Sequence, residues 1–145
     1  MPSGLNITEL TATPEIARAY QLMALLRPHL LEDQFVDQIR AQQQDGYRLI
    51  GGFIAGRLVA LAGYRLSRTL SRGPHLFVDD LVTAPADQGK GYGQAMLRHL
   101  ANIARKQNLP RIWLDSRETA KAFYQQAGFT LHTSIPCWIE VETLS

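Results

Sequence analysis

The chain has 145 residues, of which 46% are hydrophobic and 19% are charged, so we expect residues 1–145 to form one soluble globular domain. Its formal net charge of +2 comes from scattered side chains, a distribution that suits an anionic ligand and predicts no nucleic-acid partner. No apolar run approaches the roughly 18 residues of a membrane helix, and the first residues lack a signal-peptide pattern, which predicts a cytoplasmic protein without a membrane partner.

The first half of the sequence predicts a strand, two helices and a hairpin. Thr13 is the expected N-cap of the first helix, Pro14 its first helical residue and Pro28 its stop. Two strands joined by a short turn at residues 55–56 form the hairpin. The predicted elements are, in order, a strand at 6–10, the helix opened by Thr13, a helix at 32–44, and strands at 47–54 and 57–66.

The second half predicts alternating helices and strands. Asp115 is the expected N-cap of the last helix, and Gly128 is its expected stop. The whole order, β-α-α-β-β-β-α-β-α-β-β, indicates an α/β (α+β) fold with one mixed central sheet. The predicted segments are a polar loop at 67–74, a strand at 75–83, a glycine-rich turn at 85–93, a helix at 94–107, a strand at 111–114, a helix at 117–127, and a strand pair at 129–133 and 137–141.

The most informative segment is the glycine-rich turn between a strand and a helix. Gly89, Gly91 and Gly93 allow the backbone to curl, so that consecutive N–H groups point to one spot where the helix begins. These groups and the positive end of the helix dipole form an anion site suited to a pyrophosphate, with Lys90 as a cation at its rim. The residue order fits neither a Rossmann fingerprint nor a P-loop. A glycine-rich turn without a ligand is the alternative.

Two motifs in the second half resemble those of the GNAT superfamily of N-acetyltransferases. The order of the predicted elements is also that of the family. The resemblance is specific over residues 78–129 and is one of layout alone over residues 1–64. The motifs are Gln88-x-x-Gly91-x-Gly93 between a strand and a helix, and then Ala120, the pair Phe123 and Tyr124, and the pair Gly128 and Phe129.

The resemblance implies an acyl-CoA N-acyltransferase fold and the transfer of an acetyl group from acetyl-CoA to an amine of a small molecule or peptide in a ternary complex. The turn would bind the CoA pyrophosphate, and the preceding strand would pair with the pantetheine arm. A backbone N–H of Leu81 or Val82 would stabilise the oxyanion. The implied cofactor-binding residues are Leu81, Val82, Thr83, Gln88, Gly89, Lys90, Gly91, Tyr92, Gly93, Arg117 and Phe123.

Arg117 departs from the family pattern, because many relatives have an asparagine at this position. The departure leaves open whether the Arg117 side chain contacts a CoA phosphate, the substrate or neither. Dimers are common in the family, so a homodimer is among the oligomeric states that the resemblance allows.

The catalytic candidates follow from the two proton transfers of the reaction. An amine must lose a proton, and the leaving thiolate can gain one. The resemblance places Tyr124 beside the thioester sulfur as the acid, although its helical spacing also suits a core aromatic. Asp79 and Asp80 are the candidate bases, and strand alternation is expected to direct them to opposite faces. Pairing of one acid with an arginine, such as Arg65 or Arg72, is the alternative.

The remaining chemistry-bearing residues predict no further cofactor. Cys137 is the only cysteine and the four histidines lack ligand spacing, so no metal is expected. Cys137 is expected to be a buried thiol, His75 to lie at the surface or relay a proton, and Trp113 and Trp138 to fill the core. Two other functions remain open: a non-catalytic acyl-CoA sensor, and a tRNA-directed acetyltransferase toxin, which requires a clustered basic face.

Overall fold

The computed structural model describes residues 2–144, which contain five strands and five α-helices. Three short 3₁₀ helices lie at Pro85–Asp87, Glu118–Ala120 and Val141–Thr143. The elements are β1 (Leu5–Glu9), α1 (Thr13–Arg18), α2 (Tyr20–Leu26), α3 (Glu32–Gln44), β2 (Arg48–Ile54), β3 (Arg57–Thr69), β4 (Gly73–Thr83), α4 (Tyr92–Lys106), β5 (Ile112–Leu114) and α5 (Lys121–Gln126).

The strands form one mixed sheet in the order β1-β2-β3-β4-β5. The first four strands pair antiparallel with their neighbours, and β5 pairs parallel with β4. A mixed α/β fold with one central sheet is therefore confirmed. The chain divides into two compact units, one ending at Asp115 and the other beginning at Ser116, so the expected single domain stays a prediction.

Helices cover both faces of the sheet in the first unit. A side chain added at Gly51 would meet Leu10, which belongs to the core that α1, α2 and α3 form against the sheet. A side chain added at Gly52 would meet Met96 of α4. Because successive residues of a strand face opposite sides, α4 packs on the face opposite to α1–α3.

The predicted first helix is two short helices separated at Ala19, and its expected N-cap is wrong. Ala12 is the N-cap, with extended backbone angles and no side-chain cap. The Glu15 carboxylate accepts hydrogen bonds from the N–H groups of Ala12 at 2.9 Å and Thr11 at 3.2 Å. Thr13 Oγ1 instead accepts a hydrogen bond from Arg40, so its hydroxyl serves tertiary packing rather than the helix start.

The polar loop predicted at 67–74 is wrong, because the β3–β4 ladder continues through most of it. Pairing extends to Thr69 and Gly73, which leaves only residues 70–72 in the turn. Gly73 has φ of 69°, a value that favours glycine and permits the tight reversal. Polar residues are compatible with these strand ends, since many of their side chains are exposed.

The final strand pair predicted at 129–133 and 137–141 is also wrong, since residues 129–140 have no regular secondary structure. A two-stranded hairpin alone is marginal, and Pro136 removes one of the donors that its ladder would need. Cys137 and Trp138 are correspondingly exposed, Trp138 to 84%, rather than buried. The last helix is shorter than predicted: Arg117, not Asp115, is the N-cap of the 3₁₀ turn that precedes α5.

Gly63 of β3 should tolerate no side chain. A Cβ there would lie 1.8 Å from the hydroxyl oxygen of Tyr47. We expect Gly63→Ala to lower the free energy of unfolding by about 1–3 kcal/mol, because Tyr47 must move from a packed position. Urea denaturation measures the change. Gly52→Ala is the control, since its nearest contacts at 3.2 Å are side-chain ends that can shift; an equal loss in both variants would contradict the prediction.

Candidate active site

β4 separates from β5 halfway along its length. The two strands pair only from Leu76 to Val78, opposite Ile112 to Leu114. Beyond that point, no strand in the described part of the chain pairs with the β5-side edge of β4. This open edge exposes main-chain groups of Asp79 to Thr83 that can pair with an extended ligand.

A β-bulge lies where the separation begins. Tyr64 of β3 pairs with Val78, and the preceding Gly63 pairs with Asp80, so Asp79 is the extra residue on β4. A bulge bends its strand and increases the local twist, which accounts for the divergence of β4 from β5. The sequence did not predict this bulge.

The direction of the N–H groups along β4 follows from one hydrogen bond. The N–H of Ala84 donates to the carbonyl of Val59 on the β3 side, at 2.8 Å. Because N–H groups alternate in direction along a strand, that of Val82 also points towards β3. Those of Leu81 and Thr83 point towards the open edge.

The glycine turn that follows β4 requires left-handed backbone angles at two positions. Gly89 has φ of 80° and Gly91 has φ of 85°. A Cβ at Gly89 would meet nothing within 4 Å, and one at Gly91 would meet only Pro2 Cγ at 3.6 Å. Glycine is therefore required there by backbone conformation rather than by crowding. Gly93 lies in the first turn of α4.

The main-chain amides of this turn are not capped by any group in the described part of the chain. Within residues 2–144, the N–H groups from Gly89 to Gln94 make no hydrogen bond, and the first bond into α4 runs from Ala95 to the Gly91 carbonyl at 3.1 Å. Gln88 instead donates from its side chain to the Thr83 carbonyl at 3.4 Å. Six successive free amides at the start of a 15-residue helix provide the donors that an anionic group needs.

Asp87 anchors the turn, a role that the sequence did not reveal. Its buried carboxylate receives two hydrogen bonds from the Arg57 guanidinium, at 2.7 Å and 3.0 Å. The Lys90 ammonium lies 3.5 Å from the same carboxylate, which ties this rim cation to the turn. The hydrogen bonds from Arg57 hold the pKa of Asp87 below its ordinary value, so the anchor is charged at neutral pH.

Asp80 lies in a cluster that connects α2 to β4. Its carboxylate accepts hydrogen bonds from Arg27 Nε at 2.9 Å and from the Tyr47 hydroxyl at 2.8 Å. Arg27 also donates to the main-chain carbonyl of Asp79 at 2.7 Å, so it holds both the bulge and the acid. Burial, followed by the Asp80 charge, raises the pKa of Tyr47 far above its ordinary value, and Tyr47 therefore remains a donor.

Asp79 is bound by Arg65, as the alternative interpretation allowed. Both carboxylate oxygens receive a hydrogen bond from the guanidinium, each at 2.8 Å. Arg65 and Gly63 share a face of β3, and the Tyr47 hydroxyl lies over Gly63 on that face. Asp79 and Asp80 therefore emerge on the same face, and the expected opposite orientation is wrong because the bulge interrupts alternation.

An aromatic row continues this face towards β5. Phe77 pairs with Arg65 on one side and with Trp113 on the other. His75 is 2% exposed, with its ring 6.4 Å from that of Phe77, so the expected surface position is wrong. It is buried because β4 begins earlier than predicted. Arg72 lies over the rings of Phe77 and Trp113, 5.7 Å and 4.3 Å from their centroids.

Tyr124 is a buried residue of α5 in the second unit. Its ring makes edge contacts with Phe123 and Phe129, at centroid distances of 5.1 Å and 5.5 Å. Burial raises the pKa of Tyr124 above its ordinary value, opposed by the charge of Arg117. The phenol is therefore protonated at neutral pH.

From residue 2 to residue 144, no three carboxylate, histidine or cysteine side chains lie close enough together to bind a metal ion. The helices in the same range are too short or too polar to cross a lipid bilayer.

The sequence also matches a protein-family model. A model described as the acetyltransferase (GNAT) family matches residues 15–129. That range includes the glycine turn, the bulge and both predicted motifs.

Among individual proteins, the uncharacterized N-acetyltransferase YhdJ of Bacillus subtilis is 31% identical over 134 residues, which cover 89% of this chain and 94% of the relative. A glucosamine 6-phosphate N-acetyltransferase of Trypanosoma brucei brucei is 32% identical over 79 residues, or 53% of this chain and 54% of the relative. A crystal structure of ribosomal-protein-alanine N-acetyltransferase from Brucella melitensis matches with a TM-score of 0.79 at 16% identity, covering 94% of this chain and 99% of that one. The last likeness is one of fold.

Proposed function

Because this chain belongs to the GNAT family of acetyltransferases, we propose that it transfers an acetyl group from acetyl-CoA to an amine by direct attack in a ternary complex. The resemblance drawn from the two motifs is confirmed by the family match. Acetyl-CoA is the general acetyl donor of the family, and the proposal assigns the same donor to this chain.

One observation carries this proposal: the uncapped amides from Gly89 to Gln94 directly follow the open edge of β4. The amides can bind the CoA pyrophosphate, and the edge can pair with the pantetheine arm, so the same stretch of chain offers both kinds of main-chain contact. Among the implied cofactor residues, Leu81 and Thr83 direct N–H groups to that edge. Lys90 and Tyr92 lie in the turn and at the beginning of α4, beside the amides.

We assign the oxyanion contact to the N–H of Leu81 rather than that of Val82. Alternation directs the Val82 N–H into the β3–β4 ladder, where it is already engaged. The Leu81 N–H follows the bulge at the point where the strands diverge. A main-chain donor fixed in that position can stabilise negative charge on the acetyl oxygen without reorganising.

The proton transfers are assigned to Asp80 and Tyr124. Acetyl-CoA supplies the activated thioester, and the chain supplies the acid and the base. The protonated Tyr124 hydroxyl suits proton donation to the leaving thiolate. Every carboxylate oxygen of the two acids accepts one hydrogen bond from the protein, but both donors to Asp79 belong to the cationic Arg65 guanidinium, whereas one donor to Asp80 is the neutral Tyr47 hydroxyl. Asp80 therefore retains more capacity to accept a proton from the amine.

The acceptor is proposed to be a small molecule with a primary amine. Two relatives are named as N-acetyltransferases, one of them for glucosamine 6-phosphate. A non-catalytic acyl-CoA sensor is the second candidate, and it predicts CoA binding without thiol release from any amine. A peptide acceptor, a homodimer and a cytoplasmic location stay predictions from the sequence.

Gly89→Ala tests whether the glycine turn binds CoA. Alanine disfavours φ of 80°, so the turn should relax and redirect its amides, and we expect the Kd for CoA to rise at least tenfold, about 1.4 kcal/mol. Isothermal titration measures the affinity. A melting temperature lowered by a few degrees should accompany the change.

Gly56→Ala is the matched control. Gly56 has φ of 78°, and a Cβ there would also meet nothing within 4 Å, so both variants carry similar strain. The control should lose comparable stability and keep its CoA affinity. Equal CoA affinity in the two variants, or no CoA binding by the unmodified protein, would refute the proposed pyrophosphate site.

A further inference from the structure

Arg72 lies in an environment unlike that of other arginines of the sheet. Its guanidinium carbon is 4.3 Å from the Trp113 ring centroid and 5.7 Å from that of Phe77, so the planar group rests on two aromatic rings. The residue is half-buried in the short turn between β3 and β4. Such stacking holds a guanidinium in position while leaving its N–H edges available.

The N–H groups of this guanidinium have no acceptor within the described residues. Arg27, Arg57 and Arg65 each pair with an aspartate, whereas among residues 2–144 Arg72 makes a single hydrogen bond, which its main-chain N–H donates to Thr69 Oγ1. A guanidinium carries five donors in a planar fork that matches a carboxylate or phosphate. The Arg72 guanidinium is thus held in one orientation, and no acceptor in the described part of the chain pairs with it.

Arg72 also lies on the face that carries the two acids. Arg65 binds Asp79 and lies 5.4 Å from the same Phe77 ring centroid that Arg72 contacts. Phe77 precedes Asp79 by two residues, roughly 7 Å along a strand. One face of the sheet therefore carries the two carboxylates at the bulge and, beside the Phe77 ring, the Arg72 guanidinium.

We propose that Arg72 is a specificity-determining residue that binds an anionic group of the acceptor, so that the preferred substrate is a small amine carrying a carboxylate or phosphate. The inference rests on the proposed acetyl transfer and deepens it. The amine faces Asp79 and Asp80, and the anion meets the Arg72 fork over Phe77 and Trp113. An amine without an anionic group leaves those donors unpaired.

Steady-state kinetics with matched acceptors test this directly. Glucosamine 6-phosphate is compared with glucosamine, and 4-aminobutanoate with 4-aminobutanamide. The pair with the larger ratio of kcat/KM, anionic member over neutral member, shows whether Arg72 prefers a phosphate or a carboxylate. We expect kcat/KM to favour the anionic member of at least one pair by tenfold or more. Arg72→Gln should reduce that ratio to within about threefold. Arg68→Gln removes the same charge from the exposed opposite face of the hairpin and should preserve the ratio.

Tryptophan fluorescence provides a readout that requires no acetyl transfer. The chain has two tryptophans, and Trp138 is 84% exposed, so a Trp138→Phe background leaves Trp113 as the only reporter beneath Arg72. Without CoA, the anionic amine should change this emission saturably, and Arg72→Gln should abolish the change. Binding without turnover would support the anion site while refuting the proposed reaction. Turnover with no anion preference, or equal effects of Arg68→Gln and Arg72→Gln, would overturn the inference.

Discussion

Tyr124→Phe is expected to lower kcat about a hundredfold while changing the Kd for CoA by less than about twofold. The substitution removes only the hydroxyl, and the ring can keep its edge contacts with Phe123 and Phe129. Because burial raises the pKa of Tyr124 above its ordinary value, the hydroxyl stays protonated over the neutral range. The kcat profile should therefore show no decline due to this group in the neutral range.

Tyr64→Phe is the control for this variant, because Tyr64 is also a buried tyrosine but is assigned no role in the reaction. It should leave kcat and CoA affinity unchanged. Pre-steady-state measurement of thiol release distinguishes slow chemistry from slow product release. An unchanged kcat in Tyr124→Phe would reduce Tyr124 to a core aromatic, the alternative that its helical spacing allowed.

The parts of the site that could be predicted from the sequence are those governed by local rules. Gly89 and Gly91 adopt positive φ, which the spacing of glycines between a strand and a helix indicated. α3 runs from Glu32 to Gln44, the range that the sequence predicted. Local chemistry determines these features, so one sequence is sufficient to predict them.

The parts that could not be predicted depend on contacts between distant segments. The bulge at Asp79 arises from the register of β4 against β3, and no residue type marks it. Tyr47 joins Asp80 across 33 positions of sequence, in the space that Gly63 leaves open. The strand pair predicted at 129–133 and 137–141 does not form for a related reason. Apolar alternation indicates a strand, but a strand forms only where a partner strand is available.

Asp80→Asn is expected to lower kcat/KM about a hundredfold or more. An amide cannot accept a proton from the attacking amine, although it has nearly the shape of the carboxylate. Asp79→Asn should have an effect below about tenfold, because Arg65 already binds both oxygens of Asp79 and competes with the amine for them. Steady-state measurement of kcat/KM for the two variants provides the comparison.

Asp33→Asn controls for the loss of a negative charge, since Asp33 is exposed in the first turn of α3. It should leave kcat/KM unchanged. A larger effect of Asp79→Asn than of Asp80→Asn would mean that Asp79 is the base and that Arg65 releases it when the amine binds. An unchanged kcat/KM in both variants would exclude both carboxylates as the base. In that case the ion pairs of the two acids with Arg27 and Arg65 would stabilise the bulge, and a water molecule would accept the proton of the amine.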